Sequence, residues 1–219
     1  LQSPIVNAIE VIPPAASAVI SVNLSDATNV LAPGDIVGAV PAANWSNTTA
    51  NNQTLTNAVD DSGAATTADI SFSNTPYAYN NNTPAYAAPL TDDAKMMRSQ
   101  RGRSNASTME VTAAQVPYAT YDVYVYWGGR TPLEGVPMTM TVNFQLWNGT
   151  AWVTNQTKYI KDSDRVWDGT YNESTATSAG AAVDGNEYVK FSNVTATTFR
   201  ISATSGVRTG ICGVQIVQR

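Results

Sequence analysis

The chain has 219 residues and a net charge of −5, and charged residues fill 13% of its positions, about half of the usual share of roughly 25%. One cysteine and no histidine exclude an intrachain disulfide and remove the commonest general base and zinc ligand, and with them Ser-His-Asp and Cys-His chemistry. The acidic balance argues against a nucleic-acid partner, which needs a cationic face, and no run of about 18 apolar residues offers a membrane-spanning helix.

Sandwiches and barrels of roughly 200–250 residues routinely form one domain. The expected organisation is an arm over residues 1–14 and a single β-sandwich domain over residues 15–219. No charged n-region precedes an apolar h-region, so any signal peptide is expected to be removed or outside this sequence.

In chain order, Pro4–Ile12 reads as a complete strand. Period two puts Ile5, Ile9 and Val11 on one face and Val6, Ala8 and Ile12 on the other. Pro13-Pro14 then cut it off, since proline cannot continue a ladder. Ala18–Leu24 and Ala68–Phe72 alternate as strands do. Residues 44–67 and 74–91 hold no sustained alternation and are expected as long surface loops, with Tyr77, Tyr79 and Tyr86 in the second. The best helical candidate is short, at Asp92–Met97.

Tyr121–Trp127 is the strongest predicted strand, for its β-branched and aromatic content. Met138–Trp147 alternates over its full length, and Asn148-Gly149 suits the two positive-φ positions of a type I′ hairpin. Trp152-Val153 and Lys158–Ile160 follow. Further strands are expected at Glu187–Phe191, after the Asp184-Gly185 turn, at Thr198–Ala203 and at Gly213–Val217. Many short strands with turn signals between them predict an all-β, two-sheet antiparallel β-sandwich, here with a detached N-terminal strand. Cys212, within Ile211–Val214, reads as a small buried core residue.

From about Ala18 onward the chain resembles a family of secreted domains common in Planctomycetes and Verrucomicrobia. The resemblance is carried by Ile20–Leu24, Gly38–Asn47, Tyr121–Tyr126, Tyr188–Phe191, Phe199–Ile201 and Gly213–Val217. It implies a jelly roll of the galactose-binding or malectin-like type and a secreted, extracellular or cell-surface location. It implies no single function, since such sandwiches carry both glycan-binding and structural roles.

Asp162, Asp164 and Asp168 lie close in sequence. They read first as a solvated turn and second as hard oxygen ligands for a structural calcium ion, though not with EF-hand spacing. Catalysis would need two carboxylates facing one sugar from opposite sides. No other cofactor is expected. Trp45, Trp127 and Trp167 are candidate sugar-stacking rings, with Arg130 beyond Gly128-Gly129 as a charged donor. The competing reading places Trp127 and Trp147 in the core, while Trp45 and Trp167 sit in loop contexts and are expected to be exposed. Arg98, Arg101 and Arg103 suit an acidic polysaccharide or, as the preferred reading, the protein's own carboxylates.

The N-terminal strand carries most weight. It must pair its backbone somewhere: within its own sandwich, as the last strand of a preceding domain, or in a groove on the next copy of the chain. Strand addition of the third kind supplies main-chain hydrogen bonds and side-chain pockets, and head to tail it builds open filaments. The leading expectation is therefore a non-catalytic, pilus-like subunit joined through Ile5, Val6, Ile9, Val11 and Ile12 into a homopolymer. The alternative is a carbohydrate-binding module of a secreted glycan-active or adhesive protein, with a polysaccharide partner.

Overall fold

The computed structural model describes residues 18–73, 77–80, 90–104, 107–128, 138–162, 167–206 and 208–219. The N-terminal arm, Tyr86, Arg130 and Asp164 lie outside these residues.

Among them fourteen strands and one α-helix follow in order, besides a 3-10 turn at Ala179–Ala181: β1 Val19–Leu24, β2 Ser46–Thr48, β3 Thr54–Leu55, β4 Asp69–Ser73, β5 Tyr77–Asn80, α1 Asp92–Arg98, β6 Ser99–Ser104, β7 Met109–Ala114, β8 Tyr121–Tyr126, β9 Met138–Trp147, β10 Trp152–Asp162, β11 Tyr188–Val194, β12 Phe199–Ser205, β13 Arg208–Ile211 and β14 Gly213–Gln218. A five-stranded sheet has the order β11-β8-β14-β1-β2, and a six-stranded sheet the order β10-β9-β12-β7-β4-β3. Every pairing in the two is antiparallel except β1 with β2. A small third sheet is ordered β13-β6-β5. The all-β sandwich expected from the alternating segments is what the chain adopts.

Period-two patterning explains the packing. Ile20, Val22, Val123, Val125, Val214, Ile216 and Phe191 of the five-stranded sheet meet Ile70, Val111, Met140, Val142, Phe144 and Ile201 of the six-stranded sheet in one continuous core. The intervening positions of β8 point the other way, and there Tyr126 joins a second cluster with Leu31, Val37, Trp45, Met96, Met97 and Cys212. The outer face of the five-stranded sheet is thus roofed by the loop before Trp45 and by α1. The helix starts where Thr91 Oγ1 accepts the Ala94 N–H at 3.2 Å, a side-chain N-cap. Burying both faces explains why Val123–Tyr126 of β8 reads as consecutive apolar and aromatic residues rather than as an alternation.

Three expectations change. Residues 44–67 contain β2 and β3, held by backbone pairing to β1 and β4 and by Asn47, whose Nδ2 donates to Leu31 O and whose Oδ1 accepts the Leu31 N–H. Such anchors need no hydrophobic alternation, so the sequence pattern did not reveal them. Residues 77–80 form β5 inside the second expected loop. The long hairpin turns through four residues, not two, because Trp147 pairs with Trp152. Only Gly149 of the Asn148-Gly149 pair has positive φ, at 96°. Asn148 instead accepts the N–H groups of Thr150 and Ala151 on its own Oδ1, at 3.0 and 2.9 Å, an Asx turn.

Candidate functional site

The aromatic side chains singled out from sequence do not form one binding face. Trp45 is 4% exposed; its Nε1 donates to Val37 O and Ala42 O, and its ring sits edge-on to Tyr126. Its expected exposure is corrected: the local sequence is polar, but residues 31–42 fold over the ring. Trp127 is buried in the main core. Trp167 is half-buried, donates Nε1 to Thr170 O at 3.0 Å and leans on Tyr171. Trp147, expected in the core, is 49% exposed, because the core-facing positions of β9 are the even ones from Met138 to Phe144 and Trp147 falls with Gln145 on the outer face.

The charged candidates are similarly dispersed. Arg101 is buried, with Nε donating to Ser25 O at 2.9 Å and Nη1 to Asn51 Oδ1 at 2.7 Å. Its guanidinium is committed to the fold and does not present a fork to an outside anion. The Arg103 side chain lies outside the described residues. Asp162 is nearly buried at the end of β10, while Asp168 is exposed and closes a turn by accepting the Thr170 N–H. Among the described residues no group of three or more His, Cys, Asp or Glu side chains is arranged to hold a metal ion. Cys212 is fully buried, and that burial pushes its thiol up to about 12.

Glu187 was not anticipated. It is 6% exposed, and its Oε2 accepts the Asn172 N–H at 2.7 Å. Burial pushes its carboxyl up to about 7; Asp168 and Asp162 add to the rise and the Asn172 hydrogen bond opposes it. The folded chain therefore keeps this proton to about pH 7, while the unfolded chain releases it near the ordinary 4.5. Between those values the folded state binds more protons, so stability falls as pH rises through the window and levels off above it. With about 1.4 kcal/mol per pK unit and partial solvent screening, the fall should be about 1–2 kcal/mol. Glu187→Gln should remove this slope in urea unfolding across the window; a variant as pH-dependent as the parent would refute the assignment.

The long hairpin carries two accessible features. The first is an edge. β10 is the outermost strand of its sheet and pairs with β9 on its inner side. Its C-terminal half is covered: the Tyr159 N–H donates to Ala176 O, Ser174 Oγ donates to Tyr159 O, and Lys161 bridges to Asp184. From Trp152 to Lys158 no strand among the described residues pairs with its outer side, and Trp152–Thr157 carries no charge. Beside it lies a recess of about 220 Å³ lined by Phe144, Leu146, Asn155, Gln156, Val194 and Ala196. Phe144 and Val194 belong to the main core, and Leu146 and Ala196 pack against it. The recess opens where β10 and β11, the border strands of the two sheets, part.

The second feature is the outer face of the six-stranded sheet. Trp147 and Trp152 stand edge to face with centroids 5.5 Å apart. The Arg200 guanidinium lies 4.9 Å above the Trp152 ring, donates Nε to Gln145 Oε1 at 2.7 Å and pairs with Glu110 at 2.8 Å. Gln145 Nε2 reaches Thr154 Oγ1 at 3.2 Å. No signal local to one segment could have gathered these residues, which come from four strands. Comparison with protein-family models and with curated proteins finds no match to the chain.

Proposed function

We propose that the chain is a non-catalytic, secreted subunit of an extracellular filament, joined head to tail by its N-terminal strand. In this reading Pro4–Ile12 of one copy adds to the free stretch of β10 in the next. One apolar face of the donated strand is directed at the recess, and Pro13-Pro14 form the stiff exit from the donor. The sandwich itself is taken as a jelly roll of the galactose-binding or malectin-like type that the sequence resembles. The absence of histidine from the sequence favours an architectural over a hydrolytic role.

One observation carries the proposal: an uncharged run of β10, with no strand on its outer side among the described residues, borders a recess that reaches the core residues Phe144 and Val194 between polar side chains of β10 and β11. Free strand edges are templates for pairing with another chain, and proteins usually blunt them with charge, proline or a cover. Here the C-terminal half of β10 is covered, and the N-terminal half has no covering strand among the described residues. A bulge between Thr154 and Gln156 limits self-pairing of two such edges without closing the site to a separate strand.

The natural thiol is buried, so paired cysteines can report the contact. In the full-length Ile9→Cys, Gln156→Cys double variant, oxidation should give a ladder of covalent oligomers on a non-reducing gel, and deletion of residues 1–12 should leave a monomer by light scattering. An internal disulfide confined to monomers would place the strand in its own sandwich. That result, or polymers that survive the deletion, would end the filament reading.

A further inference from the structure

We propose that the outer face of the six-stranded sheet is a binding platform for a neutral polysaccharide, with Trp147 as its stacking ring and a transverse row of polar side chains as its hydrogen-bonding track. The inference is independent of filament formation, which uses the strand edge and not the sheet face.

The track follows from register. Ser71 pairs with Thr112, Thr112 with Arg200, Arg200 with Gln145, and Gln145 with Thr154. These five residues lie in one line across five adjacent strands, and at about 4.8 Å per strand the line runs for roughly 19 Å. A second row beside it contains Ser73, Glu110, Ser202, Asn143 and Thr157 by the same pairings. Neither row contains an aliphatic side chain. Hydroxyl and amide groups both donate and accept, which matches a ligand whose surface is mostly hydroxyl.

Charge narrows the ligand class. Arg200 and Glu110, the charged members of the two rows, neutralise each other at 2.8 Å. No uncompensated cation is left among them to attract a uronate, sulfate or phosphate polymer, which relies on such charges. A hydrophobic peptide would gain little from rows of hydroxyls whose own hydrogen bonds it would strip. The aromatic end completes the argument. Trp147 is half exposed, and its Nε1 has no partner among the described residues, so it offers an apolar face and a free donor together. Such amphipathic rings are enriched where one side of a contact is apolar and the other wet. The apolar C–H face of a pyranose ring is the complement.

The alternative is that Trp147 and Trp152 only brace the hairpin, as cross-strand aromatic pairs do. Affinity electrophoresis separates the two. Native gels would contain barley β-glucan, xyloglucan, galactomannan or soluble starch, with alginate as the acidic contrast. At least one neutral polymer should retard the full-length chain, and alginate should not. Trp147→Ala and Gln145→Ala should each weaken that binding by about tenfold or more. Trp147→Phe, which keeps a ring in the pair, should restore most of it. Ile36→Ala, an exposed apolar position in the loop over the five-stranded sheet, should bind as the parent does. Retardation by no neutral polymer would overturn the proposal. So would full binding by Trp147→Ala, or equal losses at Ile36 and Trp147.

Discussion

Phe144→Ala should cost about 3–5 kcal/mol, a large share of the roughly 5–15 kcal/mol that holds a typical domain together. Phe144 is 2% exposed and lies in the six-stranded sheet. Its ring stacks on Phe199 of the neighbouring strand at 5.2 Å and 24°, and packs at 5.2 Å against Phe191 of the opposite sheet. It therefore joins both a lateral and a cross-sheet contact. Its loss removes the transfer energy of a buried ring and leaves a void, and aromatic pairing contributes about 0.5–1.5 kcal/mol per pair beyond burial. The ring also walls the recess beside β10, so the void would open to solvent at the border between the sheets. Urea unfolding should show a lower midpoint at similar slope, and Phe144→Leu should recover more than half of the loss. A cost below about 1 kcal/mol would mean that the sheets are held elsewhere.

How much of this was legible in the sequence depends on how each strand is covered. β9 was readable almost residue by residue, because one face meets the core and the other meets water: Met138, Met140, Val142 and Phe144 are buried, and Thr139, Thr141, Asn143 and Gln145 are not. β8 was readable from composition rather than period, since both its faces are packed. The third sheet was not readable. Ser99–Ser104 reads Ser-Gln-Arg-Gly-Arg-Ser, with no apolar residue to announce a strand, and its place comes from backbone pairing with β5 and β13. Trp45 misled because a polar neighbourhood in sequence is no guide to what a distant loop will cover. The Ser71-to-Thr154 row was out of reach for a deeper reason. It exists only once the register of four strand pairings is fixed, and register is a property of the assembled sheet.

The third sheet supplies the second large effect. Gly102→Ala should lower stability by about 3 kcal/mol or more, at the upper end of overpacking costs. Gly102 and Gly210 face each other in the β6–β13 ladder. A Cβ at Gly102 would lie 2.0 Å from Thr209 O and 2.8 Å from Gly210 Cα. Both are backbone atoms, so no rotamer change relieves the clash and the two strands must separate. β13 runs through Cys212 directly into β14, which is flanked on both sides in the five-stranded sheet, so the displacement would be transmitted into the main sandwich. The neighbouring Arg101, which reaches Ser25 O and Asn51, would be shifted as well. At about 2–4 °C per kcal/mol for a chain of this size, Tm should fall by roughly 6–12 °C. Gly34→Ala is the matched control. An added Cβ there meets nothing within 4 Å, so the change should stay within about 0.5 kcal/mol or stabilise slightly by restricting the unfolded chain. Equal melting temperatures for the two variants would show that β6 and β13 do not approach as closely as their register requires.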